Sequence, residues 1–342
     1  MNDLVSLKDF TPADLELWIQ EAGQPAYRAR QLLKWIYVQN VEDFQKMTDV
    51  SKDFRGWLEQ HARIPSVMRE KVLTDKDGTR KLLFRLQDGE RIESVLIDEE
   101  RRLTLCVSSQ VGCALKCRFC LTGEKGYRRN LSAGEIVDQI CAARRELGPE
   151  EKITNLVFMG MGEPLANLQE VAKALEIITS DYGLNFSTRK VTLSTVGLVP
   201  EMLELSRMFP IKLAVSLHAA DNETRSRIMP INRRYPLEKL LEACRRLELP
   251  RRQRITFEYL LLAGVNDSPA DARKLAKLLR GLRAKINLIP FNEYPGSPYK
   301  RPSLNRIETF QKILQEKHFT ATIRQSRGAG IMAACGQLSH CH

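Results

Sequence analysis

The segment Cys113-Ala114-Leu115-Lys116-Cys117-Arg118-Phe119-Cys120 carries three thiols in a C-x3-C-x2-C spacing. Thiols this close in sequence are typical of a metal centre. Structural zinc sites and ordinary iron–sulfur clusters use four protein ligands, so three cysteines on a four-iron cluster leave one iron free for a small molecule. The spacing and the lack of a histidine in the segment favour such a cluster. A zinc site, the alternative, needs Cys106 or Cys141 as its fourth ligand.

The hydrophobic pattern that follows this segment predicts the fold. Apolar runs typical of strands alternate with amphipathic runs typical of helices. The predicted strands span residues 103–108, 153–159, 190–194, 212–217, 255–262 and 285–290. The predicted helices span residues 132–147, 167–181, 198–208, 236–248 and 268–281. These units predict an α/β protein with a partial (βα)6 barrel, and a doubly wound parallel sheet is the alternative.

The first hundred residues predict two smaller units. Three amphipathic stretches between residues 12 and 62 predict short helices, one of them over residues 27–38. From Arg80, a strand pattern interrupted by Asp88-Gly89 predicts a β-hairpin. We divide the chain into a helical accessory domain (1–75), a β-hairpin connector (76–102) and a barrel with a C-terminal extension (103–342). The helical domain is either a winged-helix-like RNA contact or a packing unit, and its acidic balance favours the latter.

Composition narrows the class of protein. Hydrophobic residues make up 43% of the chain and charged residues 28%, as in soluble globular proteins. The sequence shows no signal peptide and no apolar run that would span a bilayer, so we expect a cytoplasmic protein without a membrane partner. The eight cysteines are then expected to bind metal, act in catalysis or lie buried rather than form a disulfide framework.

The positive charge is unevenly distributed. Residues 1–100 hold 15 Lys and Arg against 19 Asp and Glu, whereas residues 101–342 hold 38 against 23. The net charge of +11 therefore resides on the part with the cysteine segment. A solvated surface explains such an excess, but it also suits a polyanionic partner, most plausibly nucleic acid. The basic residues cluster at Lys125/Arg128/Arg129, Arg233/Arg234, Arg245/Arg246, Arg251/Arg252/Arg254, Lys300/Arg301 and Arg324/Arg327.

Longer motifs resemble one family. The cysteine segment follows Leu105-Cys106-Val107-Ser108-Ser109-Gln110-Val111-Gly112 and precedes Arg129-Asn130-Leu131. Farther on stand Phe158-Met159-Gly160-Met161-Gly162-Glu163-Pro164-Leu165 and Ala333-Ala334-Cys335-Gly336-Gln337-Leu338. Together these stretches resemble the bacterial dual-specificity adenine-C2 methyltransferases of the radical S-adenosylmethionine superfamily, which modify 23S rRNA and tRNA. The likeness runs from Tyr27 to Leu338.

The resemblance implies a mechanism. Cys113, Cys117 and Cys120 would hold a [4Fe-4S] cluster, whose reduction cleaves S-adenosylmethionine to a 5′-deoxyadenosyl radical. Cys335 would first take a methyl group from another S-adenosylmethionine, so that two molecules are used per turnover. The radical then activates this methyl group for addition to adenine C2. Cys106 would release the product by forming a disulfide with Cys335, and Glu93 would remove the C2 proton.

The same resemblance implies the other binding sites. The S-adenosylmethionine pocket would comprise Gly162, Glu163, Ser194, Ser216, Leu217, His218 and Asn292. Partners would be 23S rRNA, tRNA and a reductant protein such as flavodoxin or ferredoxin, and we expect a monomer. One residue departs from the family pattern, which has an aspartate where this chain has Gly330. We expect the segment 328–332 to be more flexible, or to contact substrate differently.

Three alternatives remain at this stage. A related family methylates adenine C8 in rRNA and confers antibiotic resistance, with the same carrier chemistry. A glycyl-radical activating enzyme shares the cysteine spacing but does not need the Cys106/Cys335 pair. A zinc-bearing RNA-binding protein would have no enzymatic activity. Of the other thiols, Cys141 and Cys244 lie in helical patterns and are expected in the core, and Cys341 is expected in a frayed terminus.

Overall fold

The computed structural model describes residues 4–339, so Cys341 lies outside the described residues. The strands are β1 Val5–Ser6, β2 Ala62–Arg63, β3 Met68–Thr74, β4 Arg80–Arg85, β5 Arg91–Glu99, β6 Arg102–Val107, β7 Gln110–Gly112, β8 Tyr127–Asn130, β9 Ile153–Phe158, β10 Val191–Thr195, β11 Lys212–Ser216, β12 Ile255–Leu261, β13 Ala284–Pro290 and β14 Ala321–Ile323. The α-helices are α1 Pro12–Glu21, α2 Tyr27–Leu33, α3 Lys52–His61, α4 Leu121–Glu124, α5 Ala133–Arg145, α6 Leu168–Thr179, α7 Val199–Met208, α8 Asn222–Ile228, α9 Leu237–Arg246, α10 Pro269–Leu278 and α11 Leu304–Glu316.

Ten strands form one sheet in the order β14-β13-β12-β11-β10-β9-β6-β5-β4-β3. From β6 to β14 each pair is parallel, and helices lie in every connection. Neighbours in the sheet follow chain order without the reversal that marks a doubly wound fold. The predicted (βα)6 pattern is therefore confirmed and the doubly wound alternative is wrong. The sequence does not predict α11 or the short parallel strand β14 that follows it.

Antiparallel strands extend this sheet on the side of β6. β4 and β5 form the predicted hairpin, and β5 pairs with β6. The sequence does not predict β3, which pairs with β4 and lies within the range 1–75 assigned to the helical domain. Most β3 side chains are exposed, so the strand carries no apolar pattern. We propose that the helical unit ends before β3.

The N-terminal helices dock onto the barrel through α5. Lys8 is fully buried and forms an ion pair with Asp138 of α5, which also accepts the Val67 amide. The helix predicted over 27–38 changes at Lys34 from α to π geometry, which continues to Val38. Cys141 and Cys244 lie in the core as predicted. Within residues 4–339, every helix is too short or too polar to cross a membrane.

Candidate active site

The polar residues that the sequence singles out lie at the carboxyl ends of parallel strands. They end or follow β6 (Cys106–Ser109), β9 (Gly160–Pro164), β10 (Ser194–Val196), β11 (Ser216–His218) and β13 (Phe291–Asn292). Parallel strands bring their carboxyl ends to one edge of the sheet, where barrels of this type carry their active sites. The fold therefore gathers these segments on one rim.

The cysteine loop, residues 113–120, sits on this rim. It begins after β7, and the antiparallel pair β7–β8 closes it at its base, where the Cys113 amide donates to the Gly126 carbonyl at 2.9 Å. The Arg118 amide donates to the Ile228 carbonyl at 3.0 Å, which ties the loop to the end of α8. Cys117 is buried, and Cys113 and Cys120 are half-buried. The loop is thus held by the barrel itself.

The three thiols form a group that suits a metal cluster. Burial raises the pKa of each thiol, that of Cys113 to about 12. For Cys117 the next causes are the neighbouring Cys120 and Cys113. Buried neighbouring thiols ionise when bound cations neutralise them. Among residues 4–339, no three Cys, His, Asp or Glu side chains converge on one ion position. A four-iron cluster does not require this convergence, since each cysteine binds a different iron.

The zinc alternative lacks its fourth ligand in this arrangement. Cys106 lines a different cavity, described below, and Cys141 is fully buried in α5. The donors present are therefore three thiols beside an open space. This set fits a [4Fe-4S] cluster with one iron left for a small molecule.

A cavity of about 150 Å³ adjoins the cysteine loop, and we call it the upper cavity. Five of the predicted S-adenosylmethionine-binding residues line it together with the three thiols: Gly162, Glu163, Ser194, Ser216 and His218. Leu217 and Asn292 are not among its lining residues. The Leu217 side chain is buried in the core, whereas Asn292 lines the neighbouring cavity and donates to the Cys335 carbonyl at 3.2 Å.

Gly162 and Glu163 shape one wall of the upper cavity. Gly162 has a φ of +97°, and a Cβ there would lie 2.5 Å from the Gln110 side chain, so only glycine fits. The Glu163 carboxylate accepts the Val196 amide at 3.0 Å and the Leu165 amide at 3.2 Å. Burial raises its pKa to about 7. Glu163 therefore joins the ends of β9 and β10 as well as facing the cavity.

His218 is a neutral imidazole. Its Nδ1 accepts the Leu260 amide at 3.1 Å, so its proton resides on Nε2. Burial, and then the nearby Arg225, lower its pKa to about 3. The ring packs edge-on against Phe119 of the cysteine loop, with 4.9 Å between centroids. His218 thus provides a fixed, uncharged wall next to the thiols.

Arg225 of α8 was not predicted from the sequence. It is fully buried and donates to groups at the ends of β10 and β11 and in the segment after α8. Its partners are the carbonyls of Val196 (2.8 Å), Ser216 (3.2 Å), Leu217 (3.1 Å) and Tyr235 (3.3 Å), and Asn232 Oδ1 (2.9 Å). Arg225 therefore braces the strand ends that form the upper cavity.

A second cavity of about 540 Å³, the lower cavity, occupies the inside of the sheet below the first. Cys106 and Cys335 both line it, and Cys335 lines the upper cavity as well. Burial, and then Cys335, raise the pKa of Cys106 to about 12. The two thiols predicted to act as a pair are thus brought together, and Cys335 stands where the two cavities meet.

Arg324 lies beside these thiols. The nearby Cys335 is the largest cause that raises the pKa of Arg324, and Glu258 and Cys106 add to it. Its guanidinium is 3.8 Å from the Glu258 carboxylate and 3.6 Å from the Met159 sulfur. The sequence placed Arg324 among surface clusters, but here it is half-buried in the active-site cavity.

Glu93 is 2% exposed and lies behind the end of the chain. Its carboxylate is 3.1 Å from Lys81 Nζ and accepts the Ser339 amide at 2.8 Å. Within the described residues, it is absent from the lining of both cavities. The predicted base is therefore covered in this conformation. Its Lys81 partner was not predicted from the sequence.

The segment that carries Cys335, here called the C-terminal loop (residues 328–339), is anchored on the antiparallel strands. Lys81 Nζ donates to the Met332 carbonyl at 3.3 Å. Asp75 and Asp77, in the turn between β3 and β4, accept the amides of Gly330 and Gly328, each at 3.0 Å. These hydrogen bonds hold the C-terminal loop against the turn between β3 and β4 and against β4.

The departure at position 330 has a structural explanation. A Cβ at Gly330 would lie 2.8 Å from the Asp75 Oδ1 atom. An aspartate there would also bring a second carboxylate against the first. Gly330 thus suits the Asp75 carboxylate that receives its amide.

One predicted basic cluster is partly neutralised. Arg129 donates to both oxygens of Glu135, at 2.7 and 2.8 Å, and to Asp88 at 2.6 Å. These contacts make Arg129 a brace between the hairpin and α5. Its guanidinium is therefore less available for phosphate than the sequence indicates.

Known proteins resemble this chain in sequence and in fold. Residues 107–276 match the model of the radical SAM superfamily, and residues 5–64 match that of the ribosomal RNA large subunit methyltransferase N-terminal domain. A solved radical SAM methyltransferase from Sphaerobacter thermophilus has a TM-score of 0.94 and 46% identity, over 98% of this chain and 100% of that one.

Curated relatives match along more than nine-tenths of their length. A protein from Syntrophobacter fumaroxidans named dual-specificity RNA methyltransferase RlmN is 54% identical over 334 residues, covering 98% of each chain. One of the same name from Geobacter sulfurreducens is 53% identical over 338 residues, covering 99% of this chain and 93% of its own.

Proposed function

The chain belongs to the dual-specificity RNA methyltransferases of the radical SAM superfamily, and we propose that it methylates C2 of an adenosine in RNA. The proposed substrates are 23S rRNA, at the peptidyl-transferase centre, and tRNA, at the adenosine next to the anticodon. One observation carries the proposal: Cys335 lines both cavities, with the cysteine loop on one side and Cys106 on the other. A methyl carrier has to reach both the methyl donor and the acceptor base.

The residues around the upper cavity fit a cluster and S-adenosylmethionine. Cys113, Cys117 and Cys120 would hold the [4Fe-4S] cluster, which when bound supplies the one-electron reduction that starts radical chemistry. Gly162 lets the backbone approach the ligand, and Glu163 and Ser194 offer polar groups to it. We propose a flavodoxin or ferredoxin as the electron source, a cytoplasmic location and a monomeric enzyme.

The thiols and the carboxylate have separate roles in this proposal. The Cys335 sulfur accepts the methyl group by displacement and holds it as a thioether between the cavities. Once the carbon of this methyl group is bonded to adenine C2, it links the RNA to the Cys335 sulfur. The Cys106 thiolate then attacks this sulfur and forms a disulfide; the bond between sulfur and carbon breaks, and the carbon takes the electron pair and a proton to become the C2 methyl group of the released RNA. Glu93 takes the proton that leaves adenine C2. The Ser339 amide occupies one oxygen of Glu93. The end of the C-terminal loop therefore has to move before the adenine reaches Glu93.

Mapping the methylated atom tests the function. The anaerobically reconstituted chain, which should hold about four irons, is incubated with S-adenosylmethionine, a reducing system and either tRNA or a 23S rRNA fragment. Nuclease digestion and mass spectrometry should find 2-methyladenosine. A product of 8-methyladenosine would overturn the C2 assignment, and colourless, zinc-containing protein would overturn the cluster.

Replacement of Cys106 tests the release step. In Cys106→Ala no thiol resolves the intermediate, so the protein should stay covalently bound to RNA. A denaturing gel with labelled RNA detects this species. Cys244→Ala, which removes a buried thiol in α9 that lines neither cavity, is the matched control and should form none. Normal turnover without an adduct in Cys106→Ala contradicts the assigned role.

A further inference from the structure

The lower cavity has a second, basic end. It extends from Cys106 and Cys335 to the amino ends of the parallel strands, where Arg102 opens β6, Lys212 opens β11 and Lys285 is the second residue of β13. All three line it. Lys212 is exposed and Lys285 is half-buried, so the cavity reaches solvent at this end. Its opening therefore lies at the amino ends of the parallel strands, opposite the carboxyl ends where the cysteine loop sits.

The two lysines at this opening lack acidic partners in the part of the chain that the structure describes. Arg102 pairs with Glu99, the nearby carboxylate on the cavity wall. Within residues 4–339, neither Lys212 nor Lys285 forms an ion pair. Burial, then Lys285, Lys190 and Arg102, lower the pKa of Lys212, as expected of crowded like charges. A bound anion would offset this repulsion.

The interior of the cavity suits a nucleoside. A volume of about 540 Å³ is in the range of ligand sites that enclose a small molecule. Between the lysines and the thiols its wall includes hydroxyl and amide side chains from five of the parallel strands: Asn155, Thr192, Thr256, Asn287 and Thr322. Such groups can hydrogen-bond the edges of a base and a ribose.

We propose, on the basis of the function proposed above, that the target adenosine enters through the lower cavity and that Lys212 and Lys285 hold an RNA phosphate at its mouth. The base has to leave its stack to reach a recessed thiol, while its phosphates stay outside near the opening. In the proposed function, the methyl donor binds in the upper cavity. The basic end of the lower cavity is then the route that leads RNA to Cys335 without displacing the donor.

The test removes the two charges and measures RNA binding. The variant Lys212→Gln/Lys285→Gln, as reconstituted full-length enzyme, is titrated with a tRNA anticodon stem–loop at several salt concentrations. The dissociation constant should rise about tenfold or more, and the slope of log affinity against log salt should fall by roughly 0.7 to 0.9, for one lost phosphate contact. The KM for RNA should rise with it, while kcat at saturating RNA changes much less.

Two further variants make the outcome specific. Lys312→Gln/Lys317→Gln removes the same charge from the exposed end of α11 and its following residue, and should change affinity far less. Lys212→Arg/Lys285→Arg keeps the charges and should retain binding. If Lys212→Gln/Lys285→Gln binds RNA with the same affinity as Lys312→Gln/Lys317→Gln, the proposed entry route is wrong. If the wild-type enzyme methylates no RNA, the proposed function fails instead.

Discussion

The cysteine loop and the C-terminal loop bring thiols to the same place by different means. The cysteine loop is eight residues long and is fixed by its own flanking strands and by α8. The C-terminal loop is twelve residues long, and side chains from the antiparallel strands hold it at both ends. The cysteine loop is thus held by elements of the barrel itself, whereas the C-terminal loop is held over the barrel by the antiparallel strands and their turn.

The C-terminal loop nevertheless contacts α4, which directly follows the cysteine loop. The Leu121 amide donates to the Gly336 carbonyl at 2.8 Å, and the Thr122 hydroxyl donates to the Leu338 carbonyl at 2.6 Å. These contacts set Cys335 beside the cysteine loop, while the anchors of its segment lie on β3–β5. Under the proposed function, we therefore expect methyl transfer to depend on both loops and cluster binding to depend on the cysteine loop alone.

The largest effect should come from removing Cys335, the thiol that we propose as the methyl carrier. Cys335→Ala should reduce RNA methylation to background, because no sulfur remains to carry the methyl group. It should retain its iron, since the cysteine loop is unchanged. Cys120→Ala, the matched variant in the other loop, should lose both iron and methylation. Iron analysis and RNA methylation assays measure the two quantities. Equal loss of iron in both variants would show that the loops do not act separately.

The sequence predicted the barrel well because its signals are local. Each of the six predicted parallel strands agrees with the structure to within one residue at either end, since each is a short apolar run. The cysteine loop is equally local, with three thiols within eight residues. The edge strand β3 was missed because exposed Arg69, Glu70 and Lys71 give it no apolar periodicity.

The parts that sequence could not predict depend on long-range contacts. Arg225 looks like a surface arginine in sequence, and only the fold shows that it is buried among five acceptors. Lys81 meets Glu93 across neighbouring strands, and meets Met332 about 250 residues away along the chain. The turn that carries Asp75 meets Gly330 over a similar separation. No pattern within one segment reports such partners.

A smaller effect is expected from weakening the brace beneath the upper cavity. Arg225→Lys replaces a planar guanidinium with an ammonium that has three donors, so several strand-end carbonyls lose their partner. The free energy of unfolding should fall by about 3 kcal/mol. That corresponds to a lowering of the melting temperature by about 5 °C. Arg227→Lys, on the exposed face of the same helix, is the control and should melt like the wild type. A shift no larger than that of the control would show that the brace is dispensable.

The smallest effect should come from the anchor of the C-terminal loop. In Gly330→Asp the new Cβ would lie 2.8 Å from Asp75 Oδ1, and the two carboxylates would repel each other. The loop should shift away from the β3–β4 turn, so RNA methylation should slow about five- to tenfold, equivalent to roughly 1 to 1.4 kcal/mol. The iron content should not change, because the cysteine loop is anchored elsewhere. Steady-state methylation rates measure the effect.

A second substitution separates repulsion from crowding at this anchor. Asp75→Asn in the Gly330→Asp background removes one charge and keeps the side chain's size, so it should restore part of the rate. Gly56→Asp, where a Cβ meets nothing within 4 Å, adds the same charge in α3 and should leave the rate unchanged. If Gly330→Asp also lost iron, the anchor on the antiparallel strands would have to support the cysteine loop as well. The conclusion that the cysteine loop and the C-terminal loop are held independently of each other would then be wrong.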